Sequence, residues 1–191
     1  MIRSRGWYDF NWSPVVGCLR GCDYCYLPQY MERFTGQKTI EPQFYPEILS
    51  EPYEIKAAST IFVCAFADLF GAWIPDEWIK AVIKTITETP RHTYVFLTKN
   101  PQRYREFEFP ANVYLGITVE APEYLHRAEA LRDLSSRKLC SIEPVLGDFT
   151  GVDLSMFDWV VCGYMLGRKS TRQERAWMKS IVHVNKYQII R

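Results

Sequence analysis

Three cysteines lie within eight residues near the amino terminus, in the segment Gly17-Cys18-Leu19-Arg20-Gly21-Cys22-Asp23-Tyr24-Cys25-Tyr26. Their C-x3-C-x2-C spacing can direct three thiolates at an iron-sulfur cluster, or supply three of the four ligands of a tetrahedral zinc. A zinc site would need a distant histidine or cysteine, and none of Cys64, Cys140 and Cys162 repeats the paired pattern. Three cysteines also cannot form disulfides solely among themselves. The spacing therefore favours a four-iron cluster in which one iron has no protein ligand.

An aromatic residue, Tyr24, precedes the third cysteine, and Cys18-x3-Cys22-x-Tyr24-Cys25 resembles the signature of the radical S-adenosylmethionine (radical SAM) enzymes. The resemblance implies that Cys18, Cys22 and Cys25 hold a 4Fe-4S cluster whose open iron binds the amino and carboxylate groups of SAM. It also implies reductive cleavage of SAM to methionine and a 5′-deoxyadenosyl radical, which abstracts hydrogen from a substrate. In such an enzyme the cofactor supplies the radical, while the protein supplies ligands, orientation and a dry site.

Length and composition are those of an ordinary globular protein, with 191 residues, 48% hydrophobic and 24% charged. We expect a single domain over residues 1–191, with the cluster loop at residues 17–26. No apolar run approaches the roughly 20 residues that a membrane helix needs, and the first five residues lack the apolar core of a signal peptide. We therefore expect a cytoplasmic protein with no membrane partner.

Charge is nearly balanced overall, at +1, but it is unevenly distributed along the chain. From Arg168 onward, seven basic residues accompany a single acid, Glu174, so this segment carries +6 and the rest of the chain −5. Such a segment is most often the solvated face of a terminal helix. Contact with phosphate groups is the alternative.

Apolar, β-prone runs alternate with helical patterns along most of the chain. Strands strongly apolar on both faces and separated by amphipathic helices predict a parallel sheet of βαβ units. About six units in this length predict an α/β fold, a partial (open) β/α barrel, which the radical SAM resemblance also implies. The predicted strands are 7–12 (as a strand or hairpin), 60–65, 93–98, 113–119, 138–142, 159–162 and 187–190. The predicted helices are 26–34, 76–87, 122–134 and 171–184, with a turn or two at 101–107 and mainly loop at 41–56.

Polar residues follow these strands at their carboxyl ends, where the active sites of α/β barrels lie. They are Asp68, Lys99, Thr118, Glu120 and Glu143. A lysine ammonium there can pair with a carboxylate, and the glutamates could bind ribose hydroxyls, the amino group of SAM or substrate. Lys99 could equally lie on the surface, Glu120 could cap the next helix, and Glu143 could simply precede Pro144 in a loop.

Further segments resemble, in order, those of a phage-associated, spore photoproduct lyase-like subgroup of radical SAM proteins. The resemblance implies that Lys99 meets the SAM carboxylate and Thr118 the ribose or methionine portion, and Tyr24 and Tyr26 could pack on the cluster or adenine. The chain departs from the subgroup at Ala67-Asp68, where Ser-Asp is usual, and at 162–167, where a Gly-Gly-Glu-Ser-Gly-like segment is usual. The segments that match are 62–70, 92–101, 115–120 and 141–147.

Two functions are consistent with these residues. The first is a radical SAM enzyme that uses a 4Fe-4S cluster, SAM and a flavodoxin- or ferredoxin-like electron donor. Its substrate is unidentified, with a nucleic acid or nucleotide among the candidates. The alternative is a nonenzymatic interaction module that binds zinc or an iron-sulfur cluster on the same loop. A zinc module would need a fourth protein ligand near the loop, whereas the enzyme would leave that position open.

Overall fold

The apolar runs form one eight-stranded sheet that is curled into a half-barrel, so the predicted α/β partial barrel is confirmed. The computed structural model describes residues 1–4, 6–36, 40–181 and 187–190. All neighbouring strands pair in parallel except β1, which pairs antiparallel with β2. In spatial order the strands are β1 (Ile2–Arg3), β2 (Phe10–Trp12), β5 (Thr60–Val63), β6 (Thr93–Thr98), β7 (Val113–Thr118), β8 (Arg137–Ile142), β9 (Trp159–Gly163) and β10 (Tyr187–Ile190).

A small separate ribbon and several helices complete the described part of the chain. Strands β3 (Val15–Val16) and β4 (Gln43–Phe44) pair antiparallel beside the cluster loop. The α-helices are α1 (Leu27–Thr35), α2 (Glu51–Glu54), α3 (Asp76–Glu88) and α4 (Arg172–Ile181), and 3₁₀ helices span Pro46–Ser50, Pro101–Glu106 and Pro122–Leu131. Residues 41–56 therefore contain more regular structure than expected. The predicted end of the last helix, near residue 184, lies outside the described residues. None of the helices described is long and apolar enough to cross a bilayer.

The predicted helix at 122–134 differs most from expectation, because it is a 3₁₀ helix that ends at Leu131. Its apolar stripe consists of Leu125, Ala128, Leu131 and Leu134, which recur every three residues. That spacing matches the three residues per turn of a 3₁₀ helix better than the 3.6 of an α-helix. The three members that lie within the helix, Leu125, Ala128 and Leu131, thus share one face of the 3₁₀ helix.

Successive residues of the strands face opposite sides of the sheet, and both sides are buried. The outer side packs against the helices, where Ile79 and Val82 of α3 join Ile61, Tyr94 and other strand residues in one core. The inner, concave side holds a smaller core of Trp7, Val95, Leu139 and Val161. Cys140 and Cys162 belong to the outer core, away from the concave side, so both fill space among the helices.

Candidate functional site

The carboxyl ends of the parallel strands and the cysteine loop enclose one cavity on the concave side. Its volume is about 990 Å³, near the upper end of the roughly 300–1,000 Å³ typical of small-molecule sites. The wall contains the three loop cysteines together with Tyr24, Asp68, Lys99, Thr118 and Glu143. Glu120 lies directly behind that wall, in contact with Lys99 and Tyr24. The structure therefore brings the predicted cluster ligands and the predicted SAM contacts to one place.

The cysteine loop is held by backbone hydrogen bonds on both sides. The Gly17 amide donates to the Phe66 carbonyl over 2.9 Å, and the Cys18 amide donates to the Ile40 carbonyl over 2.7 Å. Gly17 has a φ of +109°, and a Cβ there would lie 2.4 Å from the Glu41 carbonyl oxygen. Only glycine therefore fits at this point. A turn closed by the Cys25 amide and the Cys22 carbonyl, at 3.0 Å, then leads into α1.

The three loop thiols are half-buried and face the same cavity. Within the described residues, no three Cys, His, Asp or Glu side chains are already gathered closely enough to hold a metal ion. Burial raises the pKa of the Cys18 thiol. The Lys99 ammonium lies 3.3 Å from the Cys22 sulfur, so a cationic group stands beside the thiols and would offset the negative charge of a thiolate-bound cluster.

The described part of the cavity wall contains no histidine, and the Asp68 carboxylate is already engaged by Thr98, Lys99 and Arg20. Cys64 is the remaining cysteine there, but it is fully buried at the end of β5, and burial raises the pKa of its thiol to about 12. His92 is buried against the Pro52 carbonyl, and His126 contacts the Glu123 carbonyl outside the cavity. Three thiols with an open position fit an iron-sulfur cluster better than a closed zinc site.

Beside the thiols, a chain of charged and polar groups connects the cysteine loop to the ends of β6 and β7. The Tyr24 hydroxyl accepts a hydrogen bond from the Lys99 ammonium and donates one to Glu120. Lys99 Nζ also lies 2.6 Å from Glu120 Oε1. On the other side of Glu120, Arg127 Nη1 lies 2.8 Å from Oε2 and donates to the Thr118 carbonyl over 2.6 Å. We call Tyr24, Lys99, Glu120 and Arg127 the buried network.

Burial and pairing set the protonation of the network. Burial raises the pKa of Tyr24, and the neighbouring Glu120 carboxylate raises it further. Burial also acts to raise the pKa of Glu120, but hydrogen bonds from Lys99 and Tyr24 outweigh it, so the pKa is lowered. At neutral pH the network thus holds a neutral phenol and an ionised carboxylate between two cations. Glu120 does not cap the following helix, because its two oxygens are used here.

Asp68 fixes the end of the neighbouring strand. Its Oδ1 accepts from the Thr98 hydroxyl over 2.5 Å, and its Oδ2 accepts from the Lys99 amide over 3.1 Å. Arg20 of the cysteine loop lies 3.6 Å from Oδ2. Asp68 therefore ties the loop to the strand end that carries Lys99.

Glu143 stands on the opposite wall, at the end of β8. Ser141 donates to its Oε2 over 3.0 Å, and a Cβ on Gly163 of β9 would lie 2.9 Å from Oε1. Burial raises the pKa of Glu143 to about 7. This carboxyl can therefore gain or lose a proton near neutral pH, as a proton-transfer group must.

The sequence did not single out several residues of the site. Arg127 holds Glu120 in place, Ser141 orients Glu143, and Arg20 binds Asp68. Arg127 lies on the polar side of a predicted amphipathic helix, where an arginine usually faces solvent.

Solved structures of spore photoproduct lyase share this fold. One mutant superimposes with a TM-score of 0.61 at 12% identity, over 94% of this chain and 62% of that chain. A mutant with bound AdoMet and dinucleoside spore photoproduct gives 0.56 at 14% identity, over 92% and 61%. The lyase complexed with dinucleoside spore photoproduct gives 0.57 at 12% identity, over 90% and 60%. The chain thus spans at most 62% of the length of these lyase chains.

At 12–14% identity the similarity to the lyase shows the fold alone. No curated protein matches this sequence. The profile of one protein family, described as Protein of unknown function (DUF5131), matches residues 4–190. The match covers nearly the whole chain, and the chain therefore belongs to this family.

Proposed function

We propose that this protein is a radical SAM enzyme that holds a 4Fe-4S cluster on Cys18, Cys22 and Cys25. The observation that carries the proposal is the convergence of three half-buried thiols and the buried network on one cavity at the carboxyl ends of parallel strands. That edge is where α/β barrels place their chemistry. A lyase structure of the same fold with bound AdoMet supports SAM as the second ligand.

The chain's own residues have distinct tasks in this proposal. When bound, the reduced cluster supplies the electron that cleaves SAM to methionine and a 5′-deoxyadenosyl radical, and a flavodoxin- or ferredoxin-like protein supplies that electron. The Lys99 ammonium, held in place by Glu120 and Tyr24, pairs with the SAM carboxylate. Thr118, half-buried in the cavity wall, faces the ribose or methionine portion.

Trp7, Phe62 and Leu97 line the cavity with apolar surface, which excludes water from a reactive radical. The substrate lies against the wall opposite the cysteine loop. Glu143 lies on this side with a pKa of about 7 and can accept or return a proton of the substrate. Hydrogen abstraction itself needs no acid or base, so Glu143 acts on substrate orientation or on a later proton transfer.

The test is anaerobic reconstitution with iron and sulfide, followed by dithionite, SAM and an assay for 5′-deoxyadenosine. We expect about four irons per chain and formation of the nucleoside. Cys22→Ala should lose both, whereas the matched Cys140→Ala, altered in the outer core, should retain both. A chain that binds zinc through four protein ligands, or a cluster-loaded chain that neither binds nor cleaves SAM, would exclude the enzyme and favour the interaction module.

A further inference from the structure

From Arg168 to Lys179 the exposed charged residues are all positive. The acid in this part of the chain, Glu174, is buried and accepts hydrogen bonds from Arg168, with Nη1 to Oε2 at 3.0 Å. That hydrogen bond lowers the pKa of Glu174 to about 2, so the acid stays ionised and is neutralised internally. We call the exposed cations the basic surface: Arg168, Lys169, Arg172, Arg175 and Lys179.

The start of α4 is closed by a capping box. The Thr171 amide donates to Glu174 Oε2 over 2.7 Å, and the Glu174 amide donates to the Thr171 hydroxyl over 3.1 Å. Because these amides are already satisfied, an anion at this place would contact the cationic side chains rather than these helix amides.

Three of the cations form a stripe along the helix. Arg172, Arg175 and Lys179 are spaced by three and four residues, so they share one face, whereas Met178 and Ile181 are buried in the core. Arg172 and Lys179 are seven positions apart, a distance of about 10 Å along the helix axis. A nucleic-acid strand carries one phosphate per about 3.4 Å of helix axis, so the stripe is as long as about three phosphates. Within the described residues, Arg172 and Lys179 have no ion pair of their own.

The basic surface begins at the wall of the cavity. Arg168 and Ser170 are part of that wall, and Arg175 Nη1 donates to the Ser170 carbonyl over 2.5 Å. Leu166, 72% exposed, also belongs to the wall, and it marks where the cavity opens to solvent. The cations therefore stand beside the opening through which a substrate would enter.

We propose that the basic surface binds the phosphate backbone of a nucleic acid whose target nucleotide enters the cavity. The proposal names the substrate class of the enzyme proposed above and rests on that function. Enzymes that act on a base must take it out of the stack into a pocket. The cavity wall carries aromatic rings, including Tyr8, Tyr26 and Phe66, on which a base can stack. Cations beside the opening would hold the flanking phosphates.

Two other anionic partners fit the structure less well. An anionic membrane is usually bound by a helix that inserts an apolar face, but the apolar side of α4 is already buried in the core. An acidic electron-transfer protein would match the charge, yet it would cover the opening that the substrate needs. Phosphates spaced along a strand match both the stripe and the opening.

The experiment is a salt titration of nucleic-acid binding to the full chain. Labelled single-stranded DNA and RNA of about 20 nucleotides, and the DNA duplex, are followed by fluorescence anisotropy from about 50 to about 200 mM NaCl. Arg172→Gln/Arg175→Gln/Lys179→Gln is compared with Lys56→Gln/Lys80→Gln/Lys84→Gln, which removes the same charge from exposed positions outside the cavity. Arg172→Lys/Arg175→Lys keeps the charge, and circular dichroism checks folding.

We expect wild-type binding to weaken with salt. Loss of the three cations should reduce single-strand affinity at least about tenfold and the slope of log K against log salt by about 2, at roughly 0.7 per phosphate contact. The control triple variant and the charge-retaining variant should stay within about threefold of wild type. Which of the three nucleic acids binds most tightly identifies the form of the substrate.

Equal losses in the two triple variants would overturn the proposal, as would no binding at the lowest salt. Binding of an acidic flavodoxin that depends on the same cations, without binding of nucleic acid, would also overturn it. The 5′-deoxyadenosine assay separates this failure from that of the enzyme. Nucleoside formed without nucleic-acid binding refutes the basic surface alone, and nucleic-acid binding without nucleoside refutes the radical SAM reaction.

Discussion

The two walls of the cavity differ in how their charged groups are paired. On the cysteine-loop wall, Lys99 and Arg127 both contact Glu120, and Asp68 accepts from Thr98 and from the Lys99 amide. On the wall formed by β8, β9 and the segment before α4, Glu143 is oriented by the Ser141 hydroxyl without a cation. Beyond it lies the basic surface, where Arg172 and Lys179 have no ion pair among the described residues.

This difference indicates that the charged groups of the first wall are already paired within the protein, whereas the basic surface beyond the second wall gains its partners on binding. A small cofactor must be held in a fixed geometry, and groups locked by mutual contacts provide it without reorganisation. A polyanion brings its own charges, so cations left exposed gain their partners only on binding. Variants that remove a partner from the first wall should therefore mainly lower stability, whereas variants of the basic surface should mainly weaken binding.

The largest effect is expected from Glu120→Ala on the paired wall. The change leaves Lys99 and Arg127, whose side chains are 13% and 14% exposed, without their shared anion. Breaking a buried pair in this way lowers the free energy of unfolding by about 3–5 kcal/mol, measurable by urea denaturation. The control Glu129→Ala breaks an exposed pair with Arg132 and should cost less than about 1 kcal/mol. Similar losses in both would mean that the network is not a rigid unit.

A somewhat smaller effect is expected at Gly17, where the loop joins the same wall. Gly17→Ala places a Cβ 2.4 Å from the Glu41 carbonyl oxygen at a φ of +109°, so the loop must move. We expect a loss of about 2–4 kcal/mol in unfolding free energy and incomplete iron loading. Gly21→Ala is the matched control, because Gly21 also has a positive φ, of +70°, but a Cβ there would have no atom within 4 Å. Its cost should be about 1–2 kcal/mol, with iron content preserved; equal iron loss would contradict the steric argument.

The central strands could be predicted from the sequence because β6 to β9 carry buried residues on both faces. Residues 94 to 96 are all fully buried, so the run carries a strong apolar signal. Lys99, Glu120 and Glu143 could be found because they follow such runs. The 3₁₀ helix at Pro122–Leu131 could have been found as well, since its apolar spacing of three was visible in the sequence.

The pairing inside the site could not be predicted, because it depends on how distant segments meet. Tyr24 and Lys99 are 75 residues apart in sequence, and they meet only when the cysteine loop folds across the sheet. Arg127 occupies a position typical of solvent, yet the ionised Glu120 draws it inward. Long-range electrostatic contacts of this kind leave no periodic signal in a single sequence.

The pH dependence of stability should differ between the walls through Glu143. The pKa of Glu143 is about 7 in the folded protein against an ordinary value of 4.5. Between these two pH values the folded protein therefore keeps a proton that the unfolded chain has already released. The contribution of Glu143 to the free energy of unfolding is fully present below about pH 4.5. It is lost as the pH rises toward 7, by at most about 3 kcal/mol. Glu120 acts in the opposite direction, because its lowered pKa adds stability that is lost on acidification.

Glu143→Gln removes this ionisation while keeping the size of the side chain. Urea denaturation at several pH values should show a flatter profile between about pH 4.5 and 7 than in wild type. Exposed Glu77 in the first turn of α3 provides the matched Glu77→Gln control, which should keep the wild-type profile. A variant with unchanged slope would show that Glu143 is already ionised in the folded protein.

The smallest effects on stability are expected on the basic surface, where the comparison between the walls can be tested within one helix. Arg172→Ala and Lys179→Ala remove exposed side chains and should change the unfolding free energy by less than about 0.5 kcal/mol. Arg168→Ala should cost about 1–2 kcal/mol, because the buried Glu174 carboxylate loses its cation. Urea denaturation measures all three. If Arg172→Ala destabilises the protein as much as Arg168→Ala, then Arg172 has a partner within the protein. The basic surface would then be as internally paired as the first wall.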